Sequence, residues 1–346
     1  MIELQQDQLA FSFPDVHPHA KLSFTFQRTL RIPDDDKAYP LPPGLGAFPL
    51  RHVDDFGDTI PPAWLEHGGV MLPMYQSEAM WLSFNPGYDD ERQTSYPFAI
   101  KVATGKIDAV TGQSWSNGLH RGPQDYMVAP KQPWLDGYCI EKGIIRQFVA
   151  MPLGAGYTAE EQITGKADHG GLQVLVYPMK RDVFERRFPK IDASDLSELR
   201  ELQKSMCCAL SVPAGAEMGL APGGKMKQEI YEDPFDLADW DLTQSSRCFV
   251  HIANSLAWKL ITKQTPPNLP PSAADYTRYG LPWFDYYDES AKALEGAGIL
   301  DKLKSVLGIG KQKRETPLPE NEACESTKVV KIMAKRAGDQ VREGTF

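Results

Sequence analysis

The feature that most constrains the fold is a two-residue alternation near the N-terminus. From Leu22 to Ile32 every even position except Arg28 is apolar, and every odd position is polar. Successive side chains of a β-strand point to opposite faces, so this pattern buries one face and leaves the other polar. The segment therefore predicts a half-buried strand.

Short apolar runs separated by turns continue this pattern along the first half of the chain. Further strands are predicted at Phe98–Val102, Tyr126–Ala129, Ile144–Met151 and Leu172–Tyr177. The chain holds 28 glycines and 28 prolines, which favour many turns and few long helices. We therefore predict a β-rich α+β fold, with an antiparallel β-sandwich-like or barrel-like body.

Two helices are predicted to cover this body. The first begins after Ser194 and ends near Cys207-Cys208, with its leucines on one face. The second runs from Ser246 to Ile261, because its apolar residues recur at helical spacing.

Composition shifts divide the chain into three predicted parts. Residues 1–190 form the β-rich body, which would contain two related β-halves, and residues 191–262 form a helical cover continuous with it. Residues 263–346 form an extended C-terminal arm, with a proline-rich spacer, an aromatic segment around Trp283 and a partly disordered tail. The spacer should carry the aromatic segment back onto the body, since exposed rings are unfavourable in water.

Charge and hydropathy exclude several function classes. The formal net charge is −9, and nucleic-acid or anionic-membrane binding requires a basic surface instead. No long apolar run and no signal peptide is evident, so we expect a soluble, cytoplasmic protein. The five cysteines lack metal-type spacing and predict free thiols, and no motif calls for a cofactor.

One short pattern occurs twice. Glu66-His67-Gly68-Gly69 precedes an apolar run ending in Pro-Met, and Asp168-His169-Gly170-Gly171 does the same. If the two segments converge, His67 and His169, with Glu66 and Asp168 beside them, would form a ligand-binding, acid–base or metal site. The alternative is that each glycine pair simply opens a strand, and this is the interpretation the pattern favours.

Cys248 and His251 form a second candidate. On the predicted helix they share a face, and an imidazole beside a thiol promotes thiolate formation. Ordinary packing beside an apolar stripe is the competing and favoured explanation.

Aromatic residues in loop-like surroundings form a third candidate, with Trp134 as the example. A ring beside glycine, aspartate and glutamine can stack on a ligand, or it can anchor a loop.

These observations favour a non-enzymatic binding or assembly protein that uses aromatic loops and the C-terminal arm. A protein partner or self-association into a homo-oligomer is the expected interaction. The alternative is an enzyme, either metal-dependent through His67 and His169 or cysteine-based through Cys248.

Overall fold

The alternating segment near the N-terminus forms the longest strand of the first hundred residues, β3 (Lys21–Leu30). In the computed structural model, which describes residues 1–35, 37–191, 217–288, 290–318, 321–326 and 328–333, this strand belongs to one large sheet. Arg28, the exception to the alternation, forms a buried salt bridge with Glu78 at 2.8 Å. The charge on the apolar face is therefore paired.

The described strands and helices are short and closely spaced. The strands are β1 (Ile2–Gln5), β2 (Gln8–Ser12), β3, β4 (Ala38–Tyr39), β5 (Gly44–Ala47), β6 (Arg51–His52), β7 (Val70–Pro73), β8 (Glu78–Pro86), β9 (Tyr88–Asp89), β10 (Thr94–Ser95), β11 (Phe98–Thr104), β12 (Ile107–Asp108), β13 (Met127–Ala129), β14 (Trp134–Leu135), β15 (Gly137–Glu141), β16 (Ile144–Pro152), β17 (Leu172–Pro178), β18 (Glu217–Lys227), β19 (Ser246–Ala253), β20 (Trp283–Tyr287) and β21 (Val329–Met333). The helices are α1 (Pro62–His67), α2 (Ala159–Thr164), α3 (Arg181–Arg187), α4 (Ser255–Thr262), α5 (Ala273–Arg278), α6 (Gly298–Asp301) and α7 (Val306–Lys313).

The sheet is mostly antiparallel, and the predicted β-rich α+β class is confirmed. Neighbouring strands follow the path β1-β2-β3-β8-β16-β18-β19-β17-β11-β13, in which each adjacent pair is antiparallel. Two short strands add parallel pairings, β4 beside β18 and β7 beside β19. The strands predicted around residues 98, 126, 144 and 172 all form.

The helix predicted over residues 246–261 is wrong in its first half, where the chain forms β19. Cys248, Val250 and Ile252 face the main core, and on the opposite face His251 and Ala253 are buried while Phe249 is half-buried and Arg247 exposed. A strand covered on both faces loses its polar alternation, so its apolar residues also fit a helical spacing. Only α4 is helical, and Asn254 caps it by accepting the Ala257 amide at 2.9 Å.

Residues 217–227 also depart from the predicted helical cover, because they form β18 beside β16. A Cβ on Gly224 would lie 2.3 Å from the Pro33 carbonyl oxygen, so this position requires glycine. The helix predicted after Ser194 lies outside the described residues. The relation between two β-halves stays a prediction.

The aromatic part of the C-terminal arm packs on its own chain. Arg28 and Tyr75 hold the proline-rich spacer by donating to the carbonyls of Asn268 at 2.5 Å and Pro267 at 3.0 Å. Trp283 is fully buried in the main core.

Two parts of the predicted tail are ordered. Residues 306–313 form α7, whose Ser305 cap accepts the Gly308 amide at 3.1 Å, which corrects the expectation of disorder from residue 310 to 313. The segment that begins at Lys328, for which strand, helix and docking peptide were left open, forms β21 parallel to β20. Within the described residues, no helix is long and apolar enough to cross a membrane.

Burial of Trp283 yields a stability prediction. Trp283→Ala should lower the free energy of unfolding by about 3–5 kcal/mol, because a buried indole is replaced by a cavity. Tyr279→Ala is the matched control, since Tyr279 belongs to the same arm but is 77% exposed. Urea unfolding checks both variants, and equal effects would contradict the docked position of the arm.

Candidate functional site

The two acid–His–Gly–Gly segments meet at β19. Val250 pairs with Val70 at the start of β7 on one side and with Leu172 at the start of β17 on the other. Since β7 runs parallel to β19 and β17 antiparallel, the two strands leave this level in opposite directions. The loops before them therefore lie close together over β19.

The glycine pairs permit this close approach. Gly69 has φ +88°, and a Cβ there would lie 2.2 Å from the Phe249 carbonyl oxygen. Gly171 has φ +67°, and a Cβ there would lie 2.3 Å from the Val250 carbonyl oxygen. Both positions exclude other residues by backbone conformation and by space. The glycines thus do open strands, and they also bring the adjoining histidines together.

His67 and His169 face each other across a pocket, with ring centroids 5.9 Å apart and the rings nearly perpendicular. His67 ends α1, and its Nδ1 lies 2.6 Å from the Ala63 carbonyl oxygen. That carbonyl holds the ring, because it accepts from a protonated Nδ1, and Nε2 is then available to a ligand. Glu66, predicted to orient His67, is exposed on α1 and does not line the pocket.

His169 is positioned by a buried carboxyl group on α2. Glu160 accepts the His169 amide at 3.1 Å and also a backbone hydrogen bond from Lys106. Burial raises the pKa of Glu160 to about 7. The pKa of His169 is lowered by burial, then by Lys106 and His67, while Asp168 opposes this shift.

Alternate residues of β19 form the floor of the pocket. Arg247, Phe249 and His251 line it, whereas Cys248 belongs to the main core on the other face. Residues three apart on a strand point to opposite faces. Cys248 and His251 are therefore not a catalytic pair, and burial raises the pKa of the Cys248 thiol to about 12.

His251 has a structural role in the pocket wall. Its ring stacks on Trp64 with centroids 4.8 Å apart, and its Nε2 donates to the Gly68 carbonyl at 3.0 Å. Burial lowers the pKa of His251 to about 4. The neutral ring thus fixes the loop that carries His67.

The completed pocket has a volume of about 320 Å³. Its lining residues are Ala63, Trp64, His67, Gly105, Lys106, Trp115, Asp168, His169, Gly170, Leu172, Gln173, Arg247, Phe249 and His251. This volume falls within the range of about 300–1,000 Å³ that is usual for small-molecule sites.

Trp115 forms one wall of the pocket, and two cationic side chains lie over its ring. The Arg247 guanidinium and the Lys101 ammonium lie 5.3 Å and 5.1 Å from its ring centres. Arg247 also donates to the Asn117 side chain at 2.5 Å. Lys101 is buried and donates to the Ser116 carbonyl at 2.9 Å and to the Gly118 carbonyl at 3.0 Å, which ties down the loop that carries Trp115.

Two buried polar atoms in the pocket wall, Gln173 Oε1 and Trp115 Nε1, lack a protein partner among the described residues. Gln173 is only 3% exposed, and its Nε2 donates to the Gly105 carbonyl at 2.9 Å, so its side chain has a fixed position. Both unpartnered atoms have almost no accessible surface, so they lie behind the surface that a ligand would contact.

A larger cavity of about 530 Å³ lies elsewhere, between residues 110–124 and 294–299. Its polar side chains are already engaged: Arg121 donates to the carbonyls of Phe235 and Asp233, at 2.5 and 2.9 Å. The histidine pocket is therefore the stronger candidate site.

Trp134 lies away from the pocket. It packs against Trp81 and against Tyr286 of the arm, with ring centroids 6.3 Å and 4.6 Å away. These contacts fit the alternative in which the Trp134 ring anchors a loop.

Metal binding receives no further support from the geometry. In the part of the chain that the structure describes, no group of three or more His, Cys, Asp or Glu side chains is arranged to hold a metal ion. The metal alternative thus has only the facing imidazoles of His67 and His169.

The chain matches no protein-family model, no curated protein and no solved structure.

Sequence reasoning identified the two histidines but missed the rest of the wall. Lys106, Trp115, Gln173 and Arg247 carry no motif. The alternation of Arg247, Phe249 and His251 could have indicated a strand with these side chains on one face, but residues 246–261 were interpreted as a helix.

Burial of His251 yields a pH prediction. Its folded-state pKa is about 4 against an ordinary 6.5, so its contribution to stability is present above pH 6.5 and is lost as the pH falls toward 4. The loss should amount to roughly 2–3 kcal/mol near pH 4.5.

His251→Gln removes this titration and keeps a donor for the Gly68 carbonyl. The difference in unfolding free energy between pH 7 and pH 4.5 should therefore be smaller in this variant than in the parent protein. Urea unfolding at both pH values measures it, and the exposed His52 supplies the control His52→Gln. An unchanged pH difference in His251→Gln would contradict the burial argument.

Proposed function

We propose that the protein is a non-enzymatic binding protein whose small-molecule ligand occupies the histidine pocket. The single observation that carries this proposal is the preformed cavity of about 320 Å³ in which His67 and His169 face each other beside Lys106 and Arg247.

The walls of the pocket support binding of a defined shape. Lys101 fixes the Trp115 loop through the Ser116 and Gly118 carbonyls, Glu160 fixes the His169 loop, and the Ala63 carbonyl fixes the His67 ring. Groups held before the ligand arrives lose little entropy when it binds. Such preorganisation favours affinity.

The cysteine-based alternative is dropped, because Cys248 and His251 lie on opposite faces of β19. The predicted assembly role of the C-terminal arm is not part of this proposal. Trp283 of the arm is buried in the core and Tyr279 is exposed, and neither lines the histidine pocket, so the proposed binding function does not use them. Self-association stays a prediction.

Blocking the pocket mouth tests the proposal. Ala63 is exposed on α1 and lines the pocket, so Ala63→Trp should fill the entrance without removing a polar group. The probe is 8-anilinonaphthalene-1-sulfonate, whose fluorescence rises in an apolar site. We expect saturable one-to-one binding that weakens at least about tenfold in Ala63→Trp, or about 1.4 kcal/mol.

Leu65→Trp is the matched control, since Leu65 lies on the same helix, is 42% exposed and does not line the pocket. It should bind the probe like the parent protein. Equal binding by Ala63→Trp and Leu65→Trp, with both variants folded by circular dichroism, would refute the assigned site.

A further inference from the structure

We infer that the ligand of the histidine pocket is a small organic oxyanion, a carboxylate, sulfonate or phosphate, and that His169 takes up a proton when it binds. This inference rests on the proposed binding function and specifies its ligand class. Three observations support it, and they concern the charge, the donors and the histidine of the pocket.

The first observation is the local excess of positive charge. Lys106 and Arg247 line the pocket against one carboxylate, Asp168, with the histidines counted as neutral. The chain as a whole carries −9, so this positive pocket opposes the overall balance. A cluster of cations within an acidic protein attracts and orients an anion.

The second observation is the supply of hydrogen-bond donors. Lys106 and Arg247 line the pocket and carry several N–H groups each, one of which on Arg247 donates to the Asn117 side chain. Hydrogen bonds from cationic donors to an oxyanion are about twice as strong as neutral ones. Planar guanidinium in particular matches the two oxygens of a carboxylate or phosphate.

The neighbouring carboxyl group does not cancel these donors. Glu160 lies behind the pocket wall, where it already accepts the backbone amides of His169 and Lys106. Asp168 is exposed. The interior of the pocket therefore keeps its donors for a ligand.

The histidine pair adds a dependence on pH. The charged and titratable groups around His169 are His67 on α1, Lys106 after β11, Arg247 and His251 on β19, Asp168 in its own loop, and Glu160 on α2. Burial and Lys106 lower the pKa of His169 in the empty pocket. An anion reverses that electrostatic effect, so binding should draw a proton onto His169 and tighten as the pH falls.

The test compares benzenesulfonate with benzenesulfonamide. The sulfonate keeps its negative charge between pH 5.5 and 8, while the sulfonamide is neutral there and has nearly the same shape. Isothermal titration calorimetry should show the sulfonate binding at least about tenfold tighter at pH 5.5, as charge-assisted hydrogen bonds predict. Sulfonate affinity should also fall about fivefold or more from pH 5.5 to 8, with sulfonamide affinity constant.

Two charge variants separate the local cation from net charge. Lys106→Gln should weaken sulfonate binding about five- to tenfold and leave sulfonamide binding unchanged. Lys166→Gln makes the same change in net charge at an exposed residue that does not line the pocket, and should alter sulfonate binding less than about twofold. Equal effects of the two variants would overturn the role of Lys106.

Two histidine variants test the proton. His169→Gln should reduce the pH dependence of sulfonate binding and the proton uptake seen as a buffer-dependent binding enthalpy to the part that Glu160 contributes, whereas the exposed His52→Gln should retain both in full. Equal affinity for the two probes, or the absence of binding by both, would overturn the ligand class. Loss of the anilinonaphthalene-sulfonate site in Ala63→Trp would still support the proposed function in that case, so the two failures are distinguishable.

Discussion

Backbone pairing along both edges of β19 determines where the pocket forms. Val250 is paired with Val70 and with Leu172, and these pairings set the positions at which the two loops cross the strand. Gly69 and Gly171 have no room for a Cβ against that strand, so the loops have little freedom to shift. The facing histidines are a consequence of main-chain geometry more than of side-chain attraction.

Local sequence patterns were sufficient for strands marked by polar alternation or by flanking turns, although β3, β11 and β17 are buried on both faces. They were insufficient for β19, whose apolar residues also fit a helical spacing. β3 was predicted from its alternation, and β11, β16 and β17 from short apolar runs between turns. β19 was predicted as a helix, because the strands that pair along its two edges, β17 and β7, are distant in sequence. Tertiary pairing, absent from any local window, determined that segment.

The residues of the pocket also differ in whether the sequence could predict them. The repeated acid–His–Gly–Gly pattern was visible because four residues in a row carry it, whereas Lys106, Gln173 and Arg247 come from separate strands and loops. Secondary structure also decides which side chains can react with each other. Residues three apart, such as Cys248 and His251, share a face on a helix but lie on opposite faces of a strand. One error in secondary structure thus produced one false catalytic pair.

The hydrogen bond from Arg28 to the proline-rich spacer joins two segments that are far apart in the sequence. Arg28 contacts the carbonyl of Asn268, 240 residues further along, and the same guanidinium is neutralised by Glu78. Such distant contacts close late and slow folding, because much chain entropy is lost before they form. During synthesis, the early strands must therefore wait with an incomplete core until the segment containing Trp283 has emerged, which is an interval in which a chaperone would be useful.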